Sequence, residues 1–228
     1  MDQTTKITAK IYKPLLNNFN KQVDSLFLKR DAFLNSMIKG EVQHLASDLE
    51  GKKLSVRAKR YIAGELKQMG TVQVNIVVDK YTADQLNAIV NETNIVRDAF
   101  LNRLIMLLRS SPTLLNYLDL PEYITGSEFE SGIDPMPTSP LRAIEAVQSD
   151  PLFYLRVAAE ERYKTGLYLI DLSQKFAGFS CYLDDSQVPG TKDYNELQLE
   201  LGASLDEFLK SYEANAFKKP ETAAGVKS

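Results

Sequence analysis

One feature constrains this chain more than any other: a stretch of it occurs twice. The segment ITAKIYKPLLNNFNKQVDSLFLKRDAFLNSMI, Ile7 to Ile38, lies without gaps over VNIVVDKYTADQLNAIVNETNIVRDAFLNRLI, Val74 to Ile105, at an offset of 67 residues. The six residues RDAFLN, Arg30 to Asn35, recur as Arg97 to Asn102, and Lys13/Lys80, Asn20/Asn87, Val23/Val90 and Ile38/Ile105 also coincide. A duplicated unit forms the same local structure twice. If one unit is too small to bury its own apolar faces, it must bury them against its copy.

Each copy changes period once. Ile7, Ala9 and Ile11 alternate with Lys6, Thr8 and Lys10, and Val74, Ile76 and Val78 alternate with Gln73, Asn75 and Val77, which predicts a strand in each copy. Helical spacing follows: Leu15, Phe19 and Val23 in the first copy, Leu86, Ile89 and Val90 in the second. Pro14 suits a first helical turn and Asp79 an N-cap. A break is expected at Ser25–Leu28 and Glu92–Ile95, where Asn94 suits a left-handed cap. A second helix then opens near Asp31 and Asp98, with Phe33, Leu34, Met37 and Ile38, or Phe100, Leu101, Leu104 and Ile105, as its apolar face.

A strand and two short helices cannot bury both strand and helix faces alone. Two copies can, if their strands pair as an antiparallel ribbon over four interlocked helices. This order resembles the ribbon-helix-helix family of the Arc/MetJ type, most closely in Val74–Leu101, where ETNIVRDAF takes the place of the family's loop and helix start. The expected fold is mainly α with a short antiparallel β-ribbon, a tandem ribbon-helix-helix pseudo-dimer, plus a small α+β C-terminal region. Residues 1–112 would hold the copies, at about 5–45 and 72–110, joined by a helix over 55–69 that ends at Gly70.

The resemblance implies binding of double-stranded DNA. A major groove admits a two-stranded ribbon. With the apolar series packed inward, Lys6, Thr8, Lys10, Gln73, Asn75 and Val77 face out as candidate base-reading residues. Lys donates to guanine O6/N7, Asn and Gln pair with adenine, and Thr or Val touches a thymine methyl. Lys13, Lys29, Arg30, Lys80 and Arg97 are the candidate phosphate contacts, at the starts of the helices. The sequence departs from the family at Lys29 and Val96, where Ser or Thr usually caps the second helix, and Phe27 stands where the second copy has Asn94. The competing readings are plain ones: a solvated strand face for the ribbon residues, and ion pairing with neighbouring acids for Arg30 and Arg97. Because the copies differ, readout is asymmetric, and two chains would cover neighbouring half-sites as a homodimer on DNA. Arg57, Lys59, Arg60 and Lys67 of the connecting helix are further candidates, with a solvated face as the simpler role.

Charge follows the same division. Residues 1–112 carry 17 Lys/Arg against 11 Asp/Glu, whereas residues 113–228 carry 10 against 19. A basic half beside an acidic half fits a polyanion-binding module beside a different one. Residues 113–140, rich in Pro, Gly, Ser and acids from Pro121 to Pro140, read as a linker, and 141–216 as the acidic α+β region. Within it, helices are expected over Leu141–Gln148, from Asp150-Pro151 to about Lys164, and from a capping box at Ser204–Glu207 through Ala216; strands are expected at Leu167–Asp171 and Phe179–Leu183. Residues 217–228 read as a disordered tail.

Chemistry is harder to find. Asp184-Asp185 reads as a solvated turn rather than a metal site, Glu160-Glu161 as a wet helix face, and Cys181 as a buried, inert thiol. His44 has no triad or ligand neighbours, and no phosphate-binding glycine loop occurs. Phe153, Tyr154, Tyr163 and Tyr168 read as core aromatics or, alternatively, a binding surface. The longest apolar run, Leu104 to Leu108, spans five residues, so no membrane span is expected, and a lone cysteine fits a reducing cytoplasm, near the nucleoid. The expected function is sequence-specific DNA binding by a transcriptional repressor or a plasmid or mobile-element accessory protein, without enzymatic activity, cofactor or metal. The alternative is a protein-interaction module, antitoxin-like or an assembly factor, and a protein partner is in either case possible for the acidic region.

Overall fold

The computed structural model describes residues 3–120 and 149–216, with side chains except at positions 208 and 211–216. The chain forms two compact units, Met1–Asp184 and Asp185–Ser228.

The first unit is mainly helical and contains one two-stranded antiparallel sheet. Strand β1 (Thr4–Tyr12) buries Ile7, Ala9 and Ile11 and turns Lys6, Thr8 and Lys10 outward, as period-two alternation requires. Its partner β2 (Thr71–Asp79) buries Ile76 and Val78. Each strand runs directly into a helix: α1 (Lys13–Ser25) and α4 (Lys80–Thr93). Helix α1 carries Pro14 in its first turn, where the missing N–H costs nothing, and packs Leu15, Leu16, Phe19 and Val23 inward. The break that follows is the same in both copies, with Phe27 at φ +57° and Asn94 at φ +60°. Helices α2 (Arg30–Asp48) and α5 (Arg97–Arg109) come next, and α2 is longer by six residues. Helix α3 (Val56–Gln68) joins the copies, its N-terminus capped by Ser55 Oγ, which accepts from Ala58 N at 3.0 Å. Gly70, at φ +78°, turns the chain from α3 into β2.

Beyond α5 the structure departs from expectation. The expected boundaries at 112/113 and 140/141 do not mark a separate module, because residues 149–184 share the core of the repeats. Helix α6 (Pro112–Tyr117) occupies part of the expected linker, and α7 (Phe153–Tyr163) follows. Leu152, Ala159, Leu167, Tyr168, Ile170 and Phe179 join the cluster that includes Ile11, Leu34 and Phe100. Neither Leu167–Asp171 nor Phe179–Leu183 is a strand. A strand needs a ladder partner, and here the Arg103 guanidinium takes that place: Nε donates to Leu167 O at 3.1 Å, and Nη2 donates to Leu167 O and, at 2.7 Å, to Ile170 O. The 3-10 segment Gln174–Phe179 presses Gly178 onto α3, where a Cβ would lie 2.6 Å from Leu66 N. The rest of the C-terminal α+β expectation is thus corrected to helix and irregular chain among the described residues. The expected helix at 141–148, most of the linker and the tail lie outside them.

A buried polar network ties this stretch to α2. Glu41, 3% exposed, accepts both 2.9 Å bonds from Arg156 Nη1 and a 2.7 Å bond from Tyr168 OH. Burial, then the Glu41 charge, pushes the Tyr168 phenol well above its ordinary range, so it remains a donor. Asp48 Oδ2 accepts from Tyr168 N at 3.0 Å, beside Gly166, where any Cβ would collide with the Asp48 carboxylate.

In the second unit, a 3-10 turn (Asp185–Gln187) precedes helix α8 (Lys192–Ala216). The helix opens at Thr191, whose Oγ1 accepts from Tyr194 N at 3.0 Å, rather than at the expected capping box, so Ser204 and Glu207 lie inside it.

Candidate nucleic-acid interface

The register of the ribbon defines the candidate site. Lys6 faces Val77, Thr8 faces Asn75 and Lys10 faces Gln73 across the two strands. Thr8 and Asn75 are 67 residues apart, so at this central pair, and at no other pair of the ribbon, a position meets its own counterpart in the other copy. Their side chains join: Thr8 Oγ1 donates to Asn75 Oδ1 at 2.9 Å. Lys6, Thr8, Lys10, Gln73 and Asn75 are exposed, and Val77 is half-buried, less open than its expected role implies. These three central pairs carry two lysines and no acid; Asp79, at the end of β2, faces Thr4 and accepts from Asn35 Nδ2 at 2.8 Å.

The edges of this ribbon are closed by the repeated hexapeptide. A two-stranded sheet leaves one edge of each strand unpaired, and such edges are open to pairing with other chains. Along β2, Arg30 Nη2 donates to Asn75 O at 3.3 Å, Asp31 Oδ2 accepts from Val77 N at 3.3 Å, and Asn35 Oδ1 accepts from Asp79 N at 2.9 Å. Along β1 the second copy does the same: Arg97 Nη2 donates to Thr8 O at 2.6 Å, Asp98 accepts from the Lys10 backbone, and Asn102 Oδ1 accepts from Tyr12 N at 2.8 Å. Every partner is displaced by the same 67 residues, as are the bonds that end the ladder, Lys13 N to Gly70 O and Lys80 N to Gln3 O. Arg30 also pairs with Asp31 at 2.7 Å. Arg30 and Arg97, the expected phosphate contacts, each donate to a strand carbonyl at one edge of the ribbon. Sequence reasoning missed the clamp role of Asn35 and Asn102; its signal was the unbroken identity of RDAFLN.

The flanking cations keep more freedom. Lys13 and Lys80 are exposed, and antiparallel pairing sets them at opposite ends of the ribbon. Exposed Lys29 precedes α2 and makes no side-chain cap bond, as Val96 makes none before α5. Since Arg30 and Arg97 dock on the two ribbon edges, these helix starts flank the outward face on both sides. Lys6 and Thr8 meet Lys80 and Arg97 in a polar cleft of about 510 Å³, which Asp84 and Asn87 also line. Burial raises the Asp98 carboxyl from its ordinary value, against the Lys10 backbone bond and the Arg97 charge. On α3, Lys59 Nζ bonds Asn94 Oδ1 at 2.9 Å and so fixes the second break, while Arg57, Arg60 and Lys67 stay exposed.

Cys181 is buried, and burial, opposed by Arg103, pushes its thiol up to about 12. Glu160 and Glu161 are exposed. Tyr168 belongs to the core, whereas Phe153, Tyr154 and Tyr163 remain partly in solvent. Among the described residues, no group of three or more His, Cys, Asp or Glu could hold a metal ion, and no helix is long and apolar enough to cross a membrane. Comparison with protein-family models, curated proteins and solved structures found no match.

Proposed function

We propose that the two copies form a ribbon-helix-helix pseudo-dimer within one chain and that it binds double-stranded DNA sequence-specifically, as a repressor or a plasmid or mobile-element accessory protein does. One observation carries the reading: the outward face of a ribbon centred on the Thr8–Asn75 pair, presenting Lys6, Lys10, Gln73 and Asn75 with no acid among its three central pairs. Such a face fits a major groove, with Lys6 and Lys10 on guanine O6/N7 and Gln73 and Asn75 on adenine. Asn75 Oδ1 holds a second lone pair and Nδ2 keeps its donors, so the bond from Thr8 leaves room for a base edge. Val77 takes a thymine methyl. Lys13, Lys29 and Lys80 hold the flanking phosphates, and the edge clamps keep the ribbon rigid between them. Two chains on adjacent half-sites extend the contact by about one helical turn.

Selection from a random duplex pool with the full chain tests this directly. Binding should weaken with salt at a log-log slope of about −0.9 per phosphate neutralised. Lys10→Ala or Asn75→Ala should remove about 1–3 kcal/mol of base discrimination, while Lys13→Ala or Lys80→Ala should lower affinity uniformly and cut the slope by about one. Absence of salt-sensitive binding to every duplex would sink the proposal.

A second reading, a protein partner for the acidic region, is favoured by α8. Leu197, Leu201, Leu205 and Leu209 recur at helical spacing and all stay exposed. Its test is a stoichiometric protein partner that co-purifies with the chain and is lost on Leu201→Glu with Leu205→Glu.

A further inference from the structure

Within the first unit, α1, α5, α6 and the segment Gln174–Phe179 line a half-open cavity of about 400 Å³, the size of sites that take small organic molecules. One wall is a continuous run of rings. Tyr12 and Phe179 lie 6.1 Å apart between centroids, Phe179 and Phe176 5.9 Å, and Phe176 and Tyr117 6.4 Å. Leu15, Met106 and Leu114 extend the apolar lining. The polar lining is all cationic or neutral: Arg109 and Lys175 with Asn18, Ser111, Thr113 and Ser173, and no Asp or Glu. Arg109 lines this cavity with no acid beside it, and the planar fork of arginine matches a carboxylate in two parallel bonds.

We propose that this cavity binds a flat aromatic carboxylate, with its rings against the Tyr12–Phe179–Phe176–Tyr117 wall and its carboxylate on Arg109. The inference is independent of DNA binding. A neutral aromatic fills the wall and leaves Arg109 unanswered. An aromatic amine meets two cations of its own sign. An aliphatic acid answers Arg109 and forfeits the ring contacts, which are worth more than burial alone supplies. Tyr12 is also the last residue of β1, so the bound molecule touches the end of the strand that carries Lys6, Thr8 and Lys10.

Calorimetric titration of the full chain with 2-naphthoate, 2-naphthalenemethanol, 2-naphthylmethylamine and octanoate decides the matter. The naphthoate should bind saturably and at least about tenfold tighter than the other three, the margin expected of a charge-assisted bidentate pair on an apolar wall. Arg109→Gln should erase that margin over the alcohol, with the alcohol's own affinity unchanged. Should Arg109→Gln fail to give the native thermal transition, Thr113→Trp serves instead. Thr113 is an exposed lining residue, and an indole there occupies the cavity and should abolish naphthoate binding. No saturable naphthoate binding, equal affinity for acid and alcohol, or naphthoate binding unchanged in the folded variants would each overturn the proposal.

Discussion

Phe27 and Asn94 share a left-handed backbone, yet only one of them suits it. Asn94 holds that conformation with its side-chain amide donating to Leu54 O at 2.9 Å. Phe27, 96% exposed, holds it with its ring in water. An L-residue other than Gly or Asn in this region is strained by about 1–2 kcal/mol, and the Phe27 ring recovers none of it through packing. Phe27→Asn should therefore raise the unfolding free energy by about 1 kcal/mol, read by urea denaturation. A loss of stability would show that the ring packs on something in solution. The mismatch was legible in the sequence, where Phe27 falls on Asn94 in the repeat; that the backbone would keep the turn regardless was not, since it depends on helices on both sides. Asp48 allows a second prediction at this scale. Desolvation raises its carboxyl above the ordinary 3.8, against the Tyr168 backbone bond and the charges of His44 and Arg103. The folded state thus holds the proton more tightly than the unfolded one. Its contribution is complete below pH 3.8 and fades as pH rises through the raised folded value. Asn keeps an acceptor for Tyr168 N without the charge. Asp48→Asn should accordingly gain stability relative to the native chain between pH 3.5 and pH 7, measured by paired urea titrations at those two pH values. A relative loss over that interval would mean that the ionised carboxylate is favoured in the fold.

At the scale of elements, the strands and both helices of each copy could be read from periodicity, because alternation and helical spacing are local properties. The edge clamps could not. They join the start of α2 to β2 and the start of α5 to β1 across intervals that only the paired ribbon brings together, so RDAFLN read as a helix start with a free cation. The clamps also differ in burial. Asn102 is fully buried and satisfies three groups: Tyr12 N, and the carbonyls of Lys10 and Asp98 at 2.8 and 2.7 Å. Asn35 is half-buried and bonds the Asp79 amide and carboxylate. Replacing each by Leu tests the asymmetry. Leaving a buried backbone group unpaired costs about 1–3 kcal/mol, so Asn102→Leu should destabilise by about 3 kcal/mol or more and Asn35→Leu by about 1 kcal/mol, where water can reach. Equal effects in chemical denaturation would contradict the burial difference.

For the whole molecule, the sequence misled on where one unit stops, and Arg103 explains why. Its counterpart in the first copy is the exposed Ser36, so the repeat alone marks position 103 as surface. Instead Arg103, 2% exposed, reaches into residues 167–170 and substitutes for the ladder that periodicity predicted there. One side chain of the second copy thereby ties the C-terminal stretch of the first unit to the repeats, and breaks the likeness between the copies. Arg103→Met keeps the hydrocarbon and removes the donors, leaving the Leu167 and Ile170 carbonyls unanswered, at a cost of about 2–4 kcal/mol. The ribbon does not depend on those bonds: its clamps come from Asn102, Asp98 and Arg97 on one edge and from α2 on the other. The loss should therefore fall locally, as a sub-global opening rather than a lower barrier to complete unfolding. Native-state hydrogen exchange of Arg103→Met should show amides of 167–183 losing protection by about a hundredfold, the factor that corresponds to about 3 kcal/mol or slightly less, while those of 5–12 and 71–79 stay within a few-fold of the native chain. Uniform loss across both sets would mean that the ribbon and the C-terminal stretch open together, and that Arg103 holds up the repeats themselves.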